Sequence, residues 1–340
     1  VADNFVSNIA ADTWSLPTKT GGVVDGDLVP AGDSKSAVFT AAASGTGVIR
    51  AAKAGLASTD SGTITVTAGG ATKILVETAA DGSGTVVPLQ SIAAGALVTG
   101  YAIARDASNN FVENATGVTW SLPTKTGGVV DGDLVPAGDS KSAVFTGHVI
   151  GTGVIRATKL GLVSTDSGVI TVTAGTAAKI LVETAVDGSG TVVPFQSIAA
   201  GATVTGYAIA RDASNNFVEN TAADTWSLPT KTGGVVDGDL VAAGDKKSAV
   251  FTGHVAGTGV INATKAGLVS TDSGTITVTA GASTKILVET AANGSGTVVP
   301  AQNLGSGSAM TVYSVSRDAS NNFVANVAAD SWSLPTKTGG

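Results

Sequence analysis

The chain has 340 residues, of which 45 are glycine and only 13% are Asp, Glu, Lys or Arg. Hydrophobic residues make up 43%, which is enough apolar surface to build cores and excludes a disordered chain. A net charge of −7 argues against nucleic acid as a partner, because nothing basic clusters to neutralise phosphates. The absence of cysteine excludes disulfides and thiol catalysis, and no apolar run approaches the ~18 residues of a membrane span.

The predicted elements are β-strands separated by turns. Thr63, Thr65 and Thr67 alternate with apolar residues, the period of two that is typical of a half-buried strand. Further strands are predicted at 73–77, 96–106, 117–122, 129–135, 141–146 and 153–159. Turns are predicted from Gly, Asp and Asn clusters at 81–84, 107–110, 125–128, 137–140 and 166–168. No segment shows a sustained helical period.

This strand pattern is an internal repeat. The four tryptophans are spaced 106 residues apart, and the text WSLPTKTGG recurs at each of them without insertion or deletion. About seven short strands per repeat predict an all-β fold of tandem immunoglobulin-like sandwiches. The aromatic residues fall in columns, which predicts one core per repeat. The predicted core residues are Trp14, Trp120, Trp226, Trp332, Phe39, Phe145, Phe251, Tyr101, Tyr207 and Tyr313.

Two stretches carry a family resemblance. Residues 311–334, TVYSVSRDASNNFVANVAADSWSL, resemble the front half of bacterial Ig-like domains of the invasin and intimin type. Residues 151–175, GTGVIRATKLGLVSTDSGVITVTAG, resemble the closing hairpin of related bacterial Ig-like repeats. The resemblance implies tandem spacer modules in cell-surface adhesins and other extracellular fibres.

The short AG-type connections set the predicted domain boundaries. Two whole domains are expected at 70–175 and 176–281, a partial domain without its first strands at 1–69, and one without its last strands at 282–340. Only four or five residues join one domain to the next, too few for a flexible coil. We therefore expect a stiff rod that advances by roughly 35–45 Å per repeat.

The chain opens and closes at the same phase of the repeat, since residues 319–340 repeat residues 1–22. The favoured interpretation is a segment cut from a longer array. The alternative is head-to-tail joining of subunits, each completing the other's partial domain by strand donation. The duplicated segment counts against that alternative, because both partners would bring the same strand to one slot.

The sequence offers little chemistry, and we predict no catalytic residues, no cofactor and no enzyme. His148 and His254 share a column in which the first copy has Ala42, which favours a loop histidine in solvent. Asp25 and Asp27, with their copies, are explained by an Asp-Gly turn. Calcium is the more serious alternative, with weak candidate ligands in two recurring turns. These candidates are Asp60, Asp166, Asp272, Asp106, Asp212 and Asp318, although Asp and Asn capping of a turn is the favoured interpretation for the RDASNN segment.

The expected function is structural: a segment of an extracellular fibre, filament or surface stalk. The alternative is an adhesin whose modules bind glycans or host receptors, but here the loops repeat together with the strands. Outward strand positions are largely Thr, Ser and Ala. The charged fraction of the chain, 13%, is far below the fraction that is usual for the surface of a free-standing domain. This predicts either a solvated face that is open to O-glycosylation or self-association of neighbouring repeats or chains.

Overall fold

A computed structural model describes residues 5–338. The chain divides into two compact units, Val1–Thr173 and Ala174–Gly340. In the described residues the helical elements are three one-turn 3₁₀ segments, Asp25–Asp27, Asp131–Asp133 and Asp237–Asp239, and the regular structure is otherwise β-strand. The predicted all-β fold of tandem sandwiches is therefore confirmed. Nowhere between residues 5 and 338 is there a helix with the length and apolarity to cross a bilayer.

The first unit holds two copies of the repeat. The first copy (residues 5–69) has a three-stranded sheet, β1-β4-β5, and a hairpin, β2-β3. Its strands are β1 (Thr13–Gly21), β2 (Leu28–Pro30), β3 (Ala37–Phe39), β4 (Gly45–Ala52) and β5 (Ile64–Val66).

The second copy (residues 70–173) is a complete sandwich. Its strands are β6 (Lys73–Glu77), β7 (Gln90–Ala93), β8 (Leu97–Arg105), β9 (Phe111–Asn114), β10 (Thr119–Gly127), β11 (Leu134–Pro136), β12 (Ser142–Thr146), β13 (Gly151–Thr158), β14 (Val163–Thr165) and β15 (Ile170–Thr173). One sheet has the order β10-β13-β15-β7, and the other has the order β11-β12-β8-β6-β14, with β9 paired to β8. The pairs β14–β6 and β15–β7 are parallel, and the other pairs are antiparallel.

The second unit repeats this arrangement. The third copy (residues 174–281) has sheets β17-β25-β23-β20 and β21-β22-β18-β16-β24, and the fourth copy (residues 282–338) has the single sheet β26-β27-β28. The strands are β16 (Lys179–Glu183), β17 (Gln196–Ala199), β18 (Thr203–Arg211), β19 (Phe217–Asn220), β20 (Thr225–Gly233), β21 (Leu240–Ala242), β22 (Ser248–Thr252), β23 (Gly257–Thr264), β24 (Val269–Thr271), β25 (Ile276–Thr279), β26 (Lys285–Glu289), β27 (Tyr313–Arg317) and β28 (Phe323–Asn326).

Each complete copy has its own core between the two sheets. In the second copy Phe145 and Ile155 are fully buried, and Trp120 is nearly so. The Trp120 indole also donates a hydrogen bond from Nε1 to the carbonyl oxygen of Ser140, at 2.9 Å. The indole therefore fills the core and at the same time fixes the 137–140 turn.

The strand around the tryptophan is longer than predicted. The sequence predicts a strand at 117–122 and a turn at 125–128, whereas β10 continues through Lys125 to Gly127. Proline cannot donate to a ladder, and the register of β10 against β13 shifts between Ser121 and Thr124, on either side of Pro123. The strand accommodates its proline in this irregularity and then pairs again.

The predicted strand at 129–135 is also wrong in part. Residues Asp131–Asp133 form a 3₁₀ turn, and only the short β11 follows. The Asp133 carboxylate accepts a hydrogen bond from the Val130 backbone N–H at 3.0 Å, which closes the turn. The aspartates of the DGD sequence therefore form and close a turn, as the sequence predicts.

Candidate functional site

The conspicuous polar cluster of the second, third and fourth copies is the RDASNN turn after the long central strand. In the second copy it joins β8 to β9. The Asp106 Oδ1 atom accepts a hydrogen bond from the Asn110 N–H at 2.8 Å. Asn109 between them adopts a left-handed φ of 74°, a conformation that asparagine tolerates better than most residues. The local turn is therefore the Asp- and Asn-capped turn that the sequence predicts.

The same two side chains reach the first copy of the repeat. The Asp106 Oδ2 atom accepts from the Gly69 N–H at 2.9 Å and from the Asn110 Nδ2 at 2.8 Å. The Asn110 Oδ1 atom accepts from the Ser44 N–H at 2.8 Å, and its Nδ2 also donates to the Ala42 carbonyl at 2.9 Å. We call this Asp–Asn pair with its backbone partners the junction clamp. It fixes both the linker and a loop of the preceding copy.

The second unit contains the same clamp between the third and fourth copies. The Asp318 Oδ2 atom accepts from the Gly281 N–H and from the Asn322 Nδ2, each at 2.8 Å. Asn322 accepts from the Ala256 N–H at 2.8 Å and donates to the His254 carbonyl at 3.0 Å. Asp318 and Asn322 are nearly inaccessible to solvent. Such buried polar groups are specific in geometry, because every lone pair and N–H needs its partner.

The clamp carboxylates are held in the ionised form. Hydrogen bonds from the Asn110 side chain and the Gly69 N–H lower the pKa of Asp106 from its ordinary 3.8. Burial raises the pKa of Asp318, but the donors of Asn322 and Gly281 outweigh it and the net pKa is lowered. A carboxyl whose pKa is lowered by folding stabilises the folded form above its ordinary pKa. That contribution is lost as the pH falls below about 3.8 and through the lowered value.

A buried ion pair anchors the start of the turn. The Arg105 guanidinium pairs with Glu77, with Nε–Oε1 and Nη2–Oε2 distances of 2.5 and 2.7 Å. It also donates to the carbonyls of Gly82 and Asn109. The loop at 78–88, the strand β6 and the clamp turn are thereby tied together by one side chain. The equivalent pairs are Arg211 with Glu183 and Arg317 with Glu289.

The other calcium candidates lie elsewhere, each with a hydrogen-bond donor. Asp60 and Asp166 form bidentate pairs with Arg50 and Arg156. Asp272 accepts a hydrogen bond from Asn262 at 2.6 Å. Asp212, in the RDASNN turn of the third copy, accepts from the Gly175 N–H at 2.8 Å. Among residues 5–338, no three His, Asp or Glu side chains converge as a metal site would require.

The histidines lie in exposed loops, as predicted, and each also contacts an aspartate that the sequence did not indicate. The Nδ1 atom of His148 lies 2.9 Å from Oδ1 of Asp133, and that of His254 lies 2.7 Å from Oδ1 of Asp239. Both aspartates are buried, while both imidazoles are more than half exposed. Each histidine therefore covers the carboxylate of a DGD turn.

The predicted core aromatics divide into three groups. Phe145, Phe251 and Trp120 are buried, and Trp226 packs against its core. Trp14 and Phe39 are only partly buried, in the small cluster of the first copy. Trp332 is 56% exposed, because its segment forms no strand in the fourth copy.

The tyrosine positions do not lie in the sandwich core. Tyr101 is on the outward side of β8, in register with Glu77, and it is half-buried. Tyr207 and Tyr313 occupy the same register opposite Glu183 and Glu289. The inward side of β8 carries Gly100, where a Cβ would lie 2.6 Å from a Val76 methyl carbon. The space between the sheets is already filled there, so the ring can only stand outside.

Sequence reasoning identified the capped turn but missed its partners across the junction. The clamp joins residues 37, 66 and 68 positions apart, and its partners are backbone groups of residues without any distinctive type. The signal that was available is the recurrence of the D-x-x-x-N spacing, whose aspartate comes 37 positions after a linker glycine in each case.

Comparison with known proteins gives structural neighbours only. No family model matches the chain, and no curated protein matches it. Among solved structures, the Escherichia coli adhesin FdeC is 19% identical, with a TM-score of 0.33, over 82% of this chain and 88% of that chain. Yersinia pseudotuberculosis InvD is 20% identical, with a TM-score of 0.25, over 69% of each chain. The insect immune protein hemolin is 12% identical, with a TM-score of 0.21, over 83% of this chain and 71% of that chain. These values transfer no function to the chain.

Proposed function

We propose that the chain is a structural segment of an extracellular fibre or surface stalk, built from tandem Ig-like domains whose junctions are held rigid. The observation that carries the proposal is the junction clamp, which occurs between the first two copies and again between the last two. A binding module needs only its own loops to be ordered. A load-bearing element needs each domain fixed to the next. Each clamp supplies that constraint with a buried aspartate and an asparagine, which is half-buried at the first junction and buried at the last.

Several further features agree with a mechanical role that involves no catalysis, no cofactor and no nucleic acid. Each complete copy has its own core, so a domain does not depend on its neighbour for its fold. Low charge and repeated Thr-rich faces suit neighbours or further copies of the chain as partners. An extracellular or cell-surface location is part of this proposal.

Loosening the clamp should broaden the distribution of orientations between the third and fourth copies. We expect Asn322→Ala to remove the hydrogen bonds to Ala256 and His254 and to leave Asp318 with unused acceptor capacity. The chain lacks cysteine, so spin labels can be placed at Thr230→Cys and Thr297→Cys. The measurement is the width of the label-to-label distance distribution by pulsed electron paramagnetic resonance.

The matched control is Asn293→Ala. Asn293 is also an asparagine of the fourth copy that caps a turn, but its described hydrogen bonds go only to Ser295. Its replacement should leave the distribution as narrow as in the parent. If the parent is already broad, or if Asn322→Ala leaves it narrow, the clamp does not set the junction and the proposed function loses its main support.

Calcium should not stabilise the protein. A carboxylate site filled at a hundred times its dissociation constant would add about 2.7 kcal/mol, which is a shift of several degrees in Tm. Here the candidate carboxylates are already occupied by guanidinium, amide or backbone N–H donors. We expect the thermal unfolding curves in millimolar calcium and in chelator to coincide. A rise in Tm with calcium would contradict this prediction and would support the alternative interpretation that these carboxylates bind calcium.

A further inference from the structure

The loop between β26 and β27 contains Asn293 followed by Gly294, the one Asn-Gly pair in the sequence. The second and third copies have Asp81 and Asp187 at the same place, each also followed by glycine. The asparagine side chain is exposed to solvent, as are both aspartates. The fourth copy therefore carries the amide form of a residue that is a carboxylic acid in the two preceding copies.

The turn has the same geometry in all three copies. The Asn293 Oδ1 atom accepts a hydrogen bond from the Ser295 N–H at 3.1 Å and another from the Ser295 hydroxyl at 2.6 Å. The aspartates accept the same two hydrogen bonds from Ser83 and from Ser189, at 3.0 and 2.5 Å in each copy. A carboxylate can therefore replace the amide without any change in the turn.

The backbone nitrogen of Gly294 is the nucleophile nearest along the chain to this amide. A bond from that nitrogen to the Asn293 Cγ closes a five-membered ring, and an intramolecular attack of this kind has a high effective concentration. Within residues 5–338, no protein group accepts a hydrogen bond from the Gly294 N–H. The turn also requires glycine here, because φ is 82° and a Cβ would lie 2.4 Å from the Phe323 ring. No side chain therefore crowds the attacking nitrogen.

We propose that Asn293 is a self-modifying site that loses ammonia and becomes aspartate, and that Ser295 assists the reaction. Base in the solvent removes the Gly294 N–H proton, and the nitrogen forms a bond to Cγ while an electron pair moves onto Oδ1. The Ser295 N–H and hydroxyl already donate to Oδ1, so they stabilise the oxyanion as it forms. The electron pair then returns, the Cγ–Nδ2 bond breaks, and Nδ2 leaves as ammonia with a proton from water.

Water then opens the cyclic imide in one of two ways. Addition at Cγ breaks the new bond to Gly294 and gives aspartate. Addition at the main-chain carbonyl carbon of residue 293 gives isoaspartate, with an extra methylene in the backbone. That extra length would displace Gly294, whose carbonyl accepts from Arg317 Nη2 at 3.1 Å and whose Cα faces the Phe323 ring. The packed loop therefore favours the aspartate product.

The aspartate product adds a negative charge to a charge-poor surface. Hydrogen bonds from the Ser83 side chain and N–H lower the pKa of Asp81, and those from Ser189 lower the pKa of Asp187. The Ser295 donors would act in the same way on a carboxyl at position 293 and keep it ionised at neutral pH. Deamidation thus gives this turn the charge that it already has in the second and third copies.

The experiment follows the peptide that contains Asn293 by mass spectrometry while the whole chain is incubated at neutral and at mildly alkaline pH. The protein is made in a host that does not glycosylate asparagine, because Asn293-Gly294-Ser295 is also an acceptor sequence. The amide should be lost with time, and faster at the higher pH, since the Gly294 N–H must lose its proton. Asn114, which is followed by the fully buried Ala115, is the internal reference and should persist.

Two variants of Ser295 test its part in the reaction. Ser295→Ala should slow the loss of the amide about tenfold, because one of the two donors to the oxyanion is removed. Ser295→Thr keeps a hydroxyl and should restore most of the rate. The side chain is exposed, so both variants should stay folded.

Asp187→Asn is the matched gain of function. It places an amide in the same turn of a complete copy, with Gly188 and Ser189 unchanged, so it should deamidate at a rate comparable with that of Asn293. Three outcomes would each overturn the inference: an Asn293 that persists as long as Asn114, a Ser295→Ala variant that reacts as fast as the parent, or an Asp187→Asn variant that does not react.

Discussion

Replacing Phe145 by Ala should lower the free energy of unfolding of the second copy by about 3–5 kcal/mol. The ring is fully buried in the core cluster of the second copy. Hydrogen exchange followed by mass spectrometry can assign the loss to this copy. The strand Gly151–Thr158 follows His148, Val149 and Ile150, a combination found in no other copy, so its peptide is unambiguous.

The repeat supplies the matched control. Phe39 lies in the same position of the first copy, in a segment of identical sequence, but its ring is only partly buried. In dilute solution Phe39→Ala should cost no more than about 2 kcal/mol, since part of its surface is already in water. Equal losses at Phe39 and Phe145 would show that the facing sheet does not set the cost, contrary to the burial seen here.

How far the sequence determines these results depends on the range of each interaction. The strand-rich fold and the capped RDASNN turn follow from patterns within a few residues, and both are present. The repeat follows from comparing the sequence with itself at a spacing of 106 residues. The path of β10 could not be predicted, because Pro123 and the glycines after it are typical of a turn. Only the pairing with β13 shows that the register shift accommodates the proline.

The face of a strand is harder to predict when both sides carry apolar residues. On β8 the large side chains, such as Tyr101 and Ile103, lie on the outward side, and the small ones, such as Ala102, lie inward. The large size of the tyrosine side chain therefore suggested the core side of the strand, whereas it lies on the outward side. The Trp120 ring from the other sheet occupies the space above Gly100, 3.8 Å from the point that a Cβ would take there. This long-range contact is absent from any local pattern.

The junction clamp could not be predicted from local sequence either, because its partners are far apart along the chain. Its donors and acceptors are backbone atoms of Gly69, Ser44 and Ala42, which differ in no obvious way from other small residues of a charge-poor chain. The same missing information explains why Asp106 was a calcium candidate. When the hydrogen-bond donors to an acidic turn are unknown, its carboxylates resemble the ligands of a calcium site. The hydrogen bonds show which donors the carboxylate has.

Glu183→Ala should destabilise the third copy by about 3–5 kcal/mol, because it leaves the Arg211 guanidinium without its counter-ion in a largely buried position. Glu183 is almost fully buried, and its two oxygens accept two parallel hydrogen bonds at 2.5 and 2.7 Å. The measurement is the protection of β18 against hydrogen exchange. The exposed pair Lys231–Asp237 in the same copy is the control, and Asp237→Ala should cost about 0–1 kcal/mol.

A double variant tests whether the pair or its geometry is responsible. With Glu183→Leu and Arg211→Met together, no charge is left unpaired, and part of the loss should be recovered. Recovery should be incomplete, because Arg211 also donates to the carbonyls of Gly188 and Asn215, each at 2.8 Å. Full recovery would mean that those two hydrogen bonds contribute nothing. A double variant as unstable as Glu183→Ala would mean that the charge left behind is not the source of the loss. Full recovery would therefore mean that other contacts hold the RDASNN turn of the third copy. No recovery would mean that the packing of the Arg211 side chain, and not its charge, stabilises that turn.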